Sequence, residues 1–285
     1  MTDLICSYYT VAGVSPAAAG ASLLPFEDRV RACAEAGYAG VGMHVRDYLA
    51  LRRSGLSDQT LAATLRGHGM RHVEVEFLVN WFADGEAGER SRRDEETLHH
   101  MAEALGARVM FLTGDLAPGN PMSFDRLLEK FAALCARAAE RGVAVGVEPC
   151  AWSNVGDLDA ALRLVQGSGA KNAGLFLDLW HLYRRGLDYG RLRAVPPGLI
   201  LGVQLDDAAA EVQGGLPEDC LDHRLLPGDG AAGAADFVAV LAEIGVTGPL
   251  SVEVISNAQR ARPLEEAARV SYRAARAVVD EALSR

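Results

Sequence analysis

The chain has 285 residues, 49% of them hydrophobic, which suffices for the core of one large α/β barrel or of two ordinary domains. The formal net charge of −10 excludes a nucleic-acid backbone as an expected partner, because binding one requires a dense basic surface. No basic segment followed by a long apolar stretch opens the chain, and no run of about 18 apolar residues occurs. We therefore expect a soluble, unprocessed cytoplasmic protein that does not enter a membrane.

Five cysteines are scattered along the chain without a CxxC pair. They are Cys6, Cys33, Cys135, Cys150 and Cys220. This spacing indicates reduced thiols rather than a disulfide framework or a zinc knuckle, in agreement with a cytoplasmic location.

Short apolar runs alternate with longer helical patterns from one end of the chain to the other. The predicted strands are 4–9, 40–44, 72–79, 108–113, 143–148, 174–178, 200–205 and 250–254. The predicted helices are 26–36, 57–68, 92–105, 124–141, 158–166, 235–244 and 264–283, with a short eighth around 187–194. Strands that alternate with helices imply parallel pairing through right-handed crossovers. Eight such units predict an α/β fold, a single (β/α)₈ TIM barrel that occupies residues 1–285.

Residues that begin and end helices support these boundaries. A glycine follows each of four helical patterns, as a left-handed C-cap requires, and Ser57 and Asp157 occupy N-cap positions. These glycines are Gly37, Gly69, Gly106 and Gly142. An open doubly wound sheet is the alternative fold. It predicts a glycine-rich phosphate loop after the first strand, whereas residues 11–16 contain neither a GxGxxG nor a P-loop motif.

Polar side chains close four successive predicted strands, at the end where an α/β barrel places its chemistry. Glu148, Asp178, Gln204 and Glu253 lie at the ends of strands five to eight. Any one of them could simply cap the next helix or meet water. Three carboxylates and an amide together suit a hard divalent cation, which would offset their mutual repulsion. We therefore predict one divalent metal ion bound by these four residues, with Mg²⁺ or Mn²⁺ preferred over Co²⁺ or Zn²⁺.

Further residues near the strand ends are expected to complete the site. His181 lies three residues after Asp178 and is predicted to face the same cavity, although packing beside Trp180 is the alternative. Arg224 lies in a long loop and is either a surface residue or a clamp for a carboxylate, a hydroxyl or an oxyanion. The predicted substrate contacts, for each of which simple packing or exposure is the alternative, are His44, Glu76 and Trp152.

Four motifs in chain order resemble the xylose isomerase-like TIM barrels. They are Val-Glu-Pro at 147–149, Asp-x-x-His at 178–181, Leu-Leu-Pro-Gly-Asp-Gly at 225–230 and Ser-Val-Glu-Val at 251–254. That superfamily includes sugar phosphate isomerases and epimerases, inosose dehydratases, 3-dehydroshikimate dehydratases and the endonuclease IV group. The resemblance covers nearly the whole chain. It implies that Glu148, Asp178 and Glu253 bind one divalent metal ion, with the residue at 204 as the fourth ligand.

The residue at position 204 distinguishes branches of that superfamily. Many of its epimerases carry His there, and the ketohexose epimerases place an arginine a few residues later. This chain has Gln204, and the next arginine is Arg224. Both features resemble the 3-dehydroshikimate dehydratase branch. The endonuclease group uses three zinc ions and many more histidine ligands than this chain offers.

The function predicted first is a metal-dependent isomerase or epimerase for a small sugar or another polyhydroxylated ketone. The metal would polarise a carbonyl and acidify the adjacent C–H, and Glu148 or Glu253 would take the proton. The other carboxylate or His181 would return it, while Arg224 would help to stabilise the enediolate.

The same site geometry serves a second reaction outcome. Loss of a β-hydroxyl would give dehydration, so a 3-dehydroshikimate- or inosose-type dehydratase, a lyase, is the alternative function. A non-catalytic binding barrel and an endonuclease IV-like nuclease are remote alternatives. Barrels often associate, so a homo-oligomer is one expected state, although no segment of the sequence marks an interface.

Overall fold

The computed structural model describes residues 2–18, 20–117 and 122–285. Within them, eight parallel strands close into a barrel in sequence order, with the last strand paired to the first. The strands are β1 (Leu4–Cys6), β2 (Gly40–His44), β3 (His72–Leu78), β4 (Val109–Thr113), β5 (Ala144–Glu148), β6 (Ala173–Asp178), β7 (Ile200–Leu205) and β8 (Leu250–Val252). The predicted (β/α)₈ TIM barrel is confirmed.

Thirteen α-helices lie in the described part of the chain, and the longer ones surround the barrel. They are α1 (Tyr8–Val11), α2 (Phe26–Ala36), α3 (Val45–Arg53), α4 (Asp58–Gly67), α5 (Gly85–Leu105), α6 (Phe124–Glu140), α7 (Leu158–Gly167), α8 (Leu179–Arg184), α9 (Tyr189–Arg193), α10 (Leu216–Asp222), α11 (Ala234–Glu243), α12 (Asn257–Arg260) and α13 (Leu264–Leu283). None of these helices is both long enough and apolar enough to cross a membrane.

The predicted helix caps are present. All four cap glycines have positive φ, between 68° and 112°. The Ser57 hydroxyl accepts a hydrogen bond from the Thr60 N–H at 3.0 Å, and the Asp157 carboxylate accepts one from the Ala160 N–H at 2.8 Å. These side chains satisfy backbone donors that the first turn of a helix leaves without partners. All five cysteines are buried and unpaired, as the sequence analysis expected.

Several predicted boundaries were wrong. The first strand ends at Cys6 rather than at residue 9, because Tyr8 already begins α1. The third long helix begins at Gly85 rather than at residue 92. Helices α1, α3, α8, α10 and α12 were not predicted. Two of them, α3 and α8, are capped by the last residue of the preceding strand, so no loop separates the strand pattern from the helix.

The barrel interior is filled by aromatic rings below the carboxyl ends of the strands. The rings of Phe111 and Phe176 stack with centroids 4.1 Å apart, and Phe77 lies 5.5 Å from Phe111. Glycines leave room for these rings: a Cβ atom on Gly202 would meet the Phe176 ring at 2.2 Å, and one on Gly146 would meet Phe176 at 3.1 Å. This aromatic layer closes the barrel from below, so the polar residues of the upper layer face only the mouth.

Candidate active site

The four predicted metal ligands lie together at the carboxyl ends of β5 to β8. Glu148 and Asp178 are the last residues of β5 and β6, and Gln204 on β7 pairs in register with Asp178. Glu253 follows β8 directly, and the Gln204 Nε2 atom donates to the Ser7 hydroxyl at 3.4 Å. None of the four is more than 5% exposed. Strands that are separate in sequence thus bring three carboxyl groups and an amide into one buried layer.

Asp178 accounts for the three-residue spacing to His181. Its Oδ1 atom caps α8 by accepting a hydrogen bond from the His181 N–H at 3.0 Å. Since α8 begins at the strand end, its first turn carries the imidazole back over the barrel mouth. One ligand atom from each of Glu148, Asp178 and His181 lies within 4.8 Å of the other two.

Arg224 is buried, with 2% exposure, and its guanidinium lies among the carboxylates. Its Nη1 atom lies 2.6 Å from Asp178 Oδ2 and 2.5 Å from Asp206 Oδ2. The same atom lies 3.2 Å from Glu253 Oε2. Its Nε donates to the Cys220 carbonyl oxygen at 3.1 Å, and its Nη2 contacts Cys220 Sγ at 3.0 Å. Arg224 is therefore a buried counter-charge of the site and not a surface residue.

Asp206 is a site residue that the sequence analysis missed. Besides its contact with Arg224, its Oδ1 atom accepts a hydrogen bond from the Trp180 N–H at 2.9 Å. It thus joins the arginine to the first turn of α8. The sequence could have indicated Asp206, because side chains alternate along a strand and residue 206 therefore falls on the same side as Gln204.

The buried carboxyl groups outnumber the buried cations. Burial, reinforced by the charge of Asp178, raises the pKa of Glu148 well above its usual value. Burial raises the pKa of Glu253 to about 7, although Arg224 acts in the opposite direction. Burial also opposes the charge on Asp178, but Arg224 and His181 hold the pKa of that carboxyl below its usual value. One arginine does not neutralise this set, so a further cation would be stabilised here.

The donor atoms fit a hard divalent cation. The Gln204 Oε1 atom is buried and has no hydrogen-bond partner among the described residues. Buried polar atoms nearly always have a partner, so this oxygen is available to a ligand. Together with the oxygens of Glu148 and Asp178, it supplies the type of donor that Mg²⁺ and Mn²⁺ prefer.

Hydrogen bonding selects one tautomer of His181. Its Nδ1 atom accepts from the Ala151 backbone N–H at 3.2 Å. Burial lowers the pKa of the imidazole to about 4, so the ring is neutral at pH 7. A neutral ring that accepts at Nδ1 carries its proton on Nε2. The other tautomer would let Nε2 accept from Arg224 Nη2, 3.4 Å away, but would leave the Ala151 N–H without its acceptor. The selected tautomer makes His181 a hydrogen-bond donor.

A cavity of about 240 Å³ opens above these residues. Seven residues singled out by the sequence analysis line it: His44, Glu76, Glu148, Trp152, His181, Arg224 and Glu253. Asp178 and Gln204, the most deeply buried members of the set, do not line it and have no measurable exposure. The cavity therefore ends at the carboxylate layer.

The three predicted substrate contacts are each held in place by their surroundings. His44 caps α3, with Nδ1 accepting from the Arg46 N–H at 3.2 Å. Glu76 Oε1 accepts from the Tyr8 N–H at 3.1 Å. Trp152 packs against His181, with ring centroids 5.4 Å apart. Each has both a structural contact and a face on the cavity.

The glycine-rich turn at 227–230 lies outside the cavity lining and is anchored by Asp207. The Asp207 carboxylate accepts hydrogen bonds from the N–H groups of Ala208, Gly228 and Ala232, each at 2.9 Å. A Cβ atom on Gly230 would meet Asp207 Oδ1 at 2.4 Å, so this glycine is required by close packing. These bonds thus hold the segment between α10 and α11 against the end of β7.

Comparison with known proteins agrees with this architecture. A family model described as xylose isomerase-like TIM barrel matches residues 30–275. A 3-dehydroshikimate dehydratase of Pseudomonas aeruginosa is 30% identical over 247 residues, which cover 83% of this chain and 37% of the relative. The chain thus spans little more than a third of the length of the curated relatives that it matches.

Solved structures share the fold over the full chain. An IolI protein with a bound zinc atom superposes with a TM-score of 0.85 at 20% identity, covering all of both chains. A xylose isomerase-like TIM barrel protein from Mycobacterium smegmatis in complex with magnesium superposes with a TM-score of 0.70 at 16% identity. It covers 100% of this chain and 97% of that one.

Proposed function

Because the chain belongs to the xylose isomerase-like TIM barrel family, we propose that it is a metal-dependent dehydratase acting on a small cyclic polyhydroxylated ketone. The observation that carries the proposal is that ligand atoms of Glu148, Asp178 and His181 lie within 4.8 Å of one another, in a chain 30% identical to a 3-dehydroshikimate dehydratase. An isomerase or epimerase, which the sequence analysis placed first, uses the same proton abstraction and is the second candidate.

The residues that would hold the metal are Glu148, Asp178, Gln204 and Glu253. The unpartnered Gln204 oxygen and the excess of buried carboxyl groups support this assignment. One structural neighbour contains zinc and another contains magnesium. They support a divalent ion at this site but do not select between the two metals. When bound, the ion would polarise the substrate carbonyl and acidify the adjacent C–H.

The protein's own residues would move the protons. Glu148 lines the cavity, so its carboxylate would face the substrate C–H and take the proton. Glu253, on the other side of the barrel mouth, is the alternative base. The glutamate that has taken the C–H proton would give it to the departing hydroxyl, which leaves as water. His181 would donate a hydrogen bond from Nε2–H to the oxyanion. Arg224 would hold the carboxylates in position and face the substrate oxygens with Nη2.

The test separates the two reactions directly. The purified protein, loaded in turn with Mg²⁺, Mn²⁺, Co²⁺ and Zn²⁺, is incubated in D₂O with 3-dehydroshikimate, with scyllo-inosose and with ketohexoses, and followed by proton NMR. Dehydration gives a new unsaturated product, whereas isomerisation gives a deuterated isomer of unchanged oxidation and hydration state. Glu148→Gln should abolish either reaction. If only isomers form, the protein is an isomerase and not a dehydratase. If no substrate is converted with any of the metals, both proposed functions are wrong.

A further inference from the structure

We propose that Cys220 is a positioning residue of the site, whose sulfur keeps His181 in the tautomer that donates from Nε2. The sulfur does so by accepting a hydrogen bond from Arg224 Nη2, which would otherwise take the imidazole nitrogen as its acceptor. The consequence for catalysis rests on the proposed function, in which His181 donates to an oxyanion. The positioning itself is carried by the contacts among these three buried side chains, all of which line the cavity.

Arg224 Nη2 has two atoms within reach that could accept a hydrogen bond. Cys220 Sγ lies 3.0 Å away, and His181 Nε2 lies 3.4 Å away. The other guanidinium nitrogens have oxygen partners, because Nη1 contacts three carboxylates and Nε donates to the Cys220 carbonyl oxygen. Within the part of the chain that the structure describes, Nη2 therefore depends on the sulfur or on the imidazole.

The Ala151 N–H decides between these two acceptors. It donates to His181 Nδ1 at 3.2 Å, and a ring nitrogen that accepts is unprotonated, so Nε2 carries the proton. A protonated Nε2 cannot accept from Arg224 Nη2, and the sulfur is then the acceptor that remains. The same sulfur lies 4.0 Å from Nε2, so the imidazole N–H can also donate to it. One thiol thus serves two donors that would otherwise meet without an acceptor.

A buried ion pair fixes the thiol against the imidazole. Cys220 lies on α10, where its neighbour Asp219 accepts a hydrogen bond from Arg184 Nε at 2.8 Å. Arg184 lies on α8, one turn after His181. The two side chains of the pair are at most 4% exposed. Because breaking a buried ion pair is costly, α10 stays against α8 and the sulfur stays beside Nε2.

Removal of the sulfur should therefore change the tautomer of His181. In Cys220→Ala, Arg224 Nη2 has no acceptor unless the imidazole provides one. A buried charged donor without a partner costs more free energy than a backbone amide without one. We expect the imidazole proton to move to Nδ1, so that Nε2 accepts from Arg224 and the Ala151 N–H loses its partner. His181 would then present no proton to the cavity.

Nitrogen-15 NMR of protein labelled in its histidines tests the inference without any substrate. The spectra, recorded with added Mg²⁺, distinguish a protonated from an unprotonated ring nitrogen, and His181→Gln identifies the signals of that residue. We expect a protonated Nε2 in the wild type and a protonated Nδ1 in Cys220→Ala. Cys220→Ser should keep the wild-type tautomer, because its hydroxyl can accept from Nη2.

The control for the NMR experiment is Cys135→Ala. Cys135 is a buried free thiol on α6 that does not line the cavity, so its removal should leave the His181 signals unchanged. A protonated Nδ1 in the wild type would overturn the inference. An unchanged tautomer in Cys220→Ala would overturn it as well.

Steady-state kinetics test the consequence for catalysis, with whichever of 3-dehydroshikimate, scyllo-inosose and the ketohexoses the protein converts. In Cys220→Ala, kcat should fall about 100-fold because one donor to the oxyanion is lost. KM should change less than about twofold, since that hydrogen bond strengthens only in the transition state. Cys220→Ser should recover most of the wild-type kcat. Equal losses of kcat in the two variants would show that the thiol only fills space.

The two experiments separate this inference from the proposed function. A changed tautomer in Cys220→Ala, without conversion of any ketone by the wild type, would support the positioning role and remove the proposed reaction. Conversion at equal rates by the wild type and Cys220→Ala, with an unchanged tautomer, would support the reaction and overturn the inference.

Discussion

Asp178 Oδ2 accepts a hydrogen bond from Arg224 Nη1 at 2.6 Å, while its Oδ1 caps the helix that carries His181. A single carboxylate thus fixes both the buried cation and the imidazole of the site. Since both of its oxygens are engaged in fixed positions, the site is held rigidly at one strand end, which is a condition for precise orientation of a substrate.

Removal of the buried arginine should strongly destabilise the protein. Arg224→Met leaves Asp178, Asp206 and Glu253 without their shared cation, so we expect the free energy of unfolding to fall by about 3–5 kcal/mol. Urea denaturation of the metal-free protein measures it. The control is Arg191→Met, because Arg191 forms an exposed ion pair with Asp159 and its replacement should leave stability almost unchanged. Equal effects of the two substitutions would argue against the buried cluster.

Metal binding should depend on the strand-end carboxylates. Glu148→Gln keeps the shape of the side chain but removes a charged oxygen donor, so bound metal should fall from about one divalent ion per chain to near zero. Mass spectrometry of the dialysed protein measures the metal content. Glu253→Gln should lose the ion in the same way. Glu129→Gln, on the exposed surface of α6, is the control. Retention of the ion in both site variants would show that the metal binds elsewhere in the protein.

Stability should depend on pH through Glu74, which hydrogen-bonds to the Ser251 hydroxyl in the barrel interior. Burial raises its pKa from 4.5 to about 7. The folded state therefore holds this proton more tightly, and the stability present below pH 4.5 is lost as the pH rises through 7. Relative to Glu74→Gln, the wild type should lose up to about 3 kcal/mol across this range. Urea titrations of both proteins from pH 4.5 to 8 give the difference in their free energies of unfolding. A difference that does not change with pH would contradict the raised pKa of Glu74.

The glycine beside Phe176 should tolerate no side chain. Gly202→Ala puts a methyl group 2.2 Å from the Phe176 ring, so we expect a loss of about 1–3 kcal/mol in the free energy of unfolding. Gly198→Ala, where a Cβ atom meets nothing within 4 Å, is the matched control four residues away and should be nearly neutral. Thermal unfolding compares the two, and similar melting temperatures would show that the barrel interior can repack.

Asp206 should act through the residues it positions. Asp206→Asn keeps the volume but weakens the contacts to Arg224 and to the Trp180 N–H, so kcat should fall about 10- to 100-fold. The metal content should stay close to that of the wild type, because Asp206 is not one of the proposed ligands. Steady-state kinetics with metal analysis on the same samples checks this, and unchanged kcat would leave Asp206 a structural role only.

The sequence by itself determined the fold and most of the site's members. The alternation of strands and helices gave the barrel, since apolar periodicity reflects which face of each element is buried. Strand-end positions identified Glu148, Asp178, Gln204 and Glu253, because parallel strands bring their carboxyl ends to one mouth. Helices that begin at a strand's last residue, such as α8, were missed because a short helix has no periodic pattern of its own.

Only the tertiary structure decided what these residues do to one another. Arg224 lies 46 residues from Asp178 in sequence, and no local pattern distinguishes a buried arginine from an exposed one. The tautomer of His181 depends on the Ala151 N–H, 30 residues away, and the residues that line the cavity come from several different strands and loops. Charge pairing, tautomer and cavity chemistry are set by distances in space, which chain order does not encode directly.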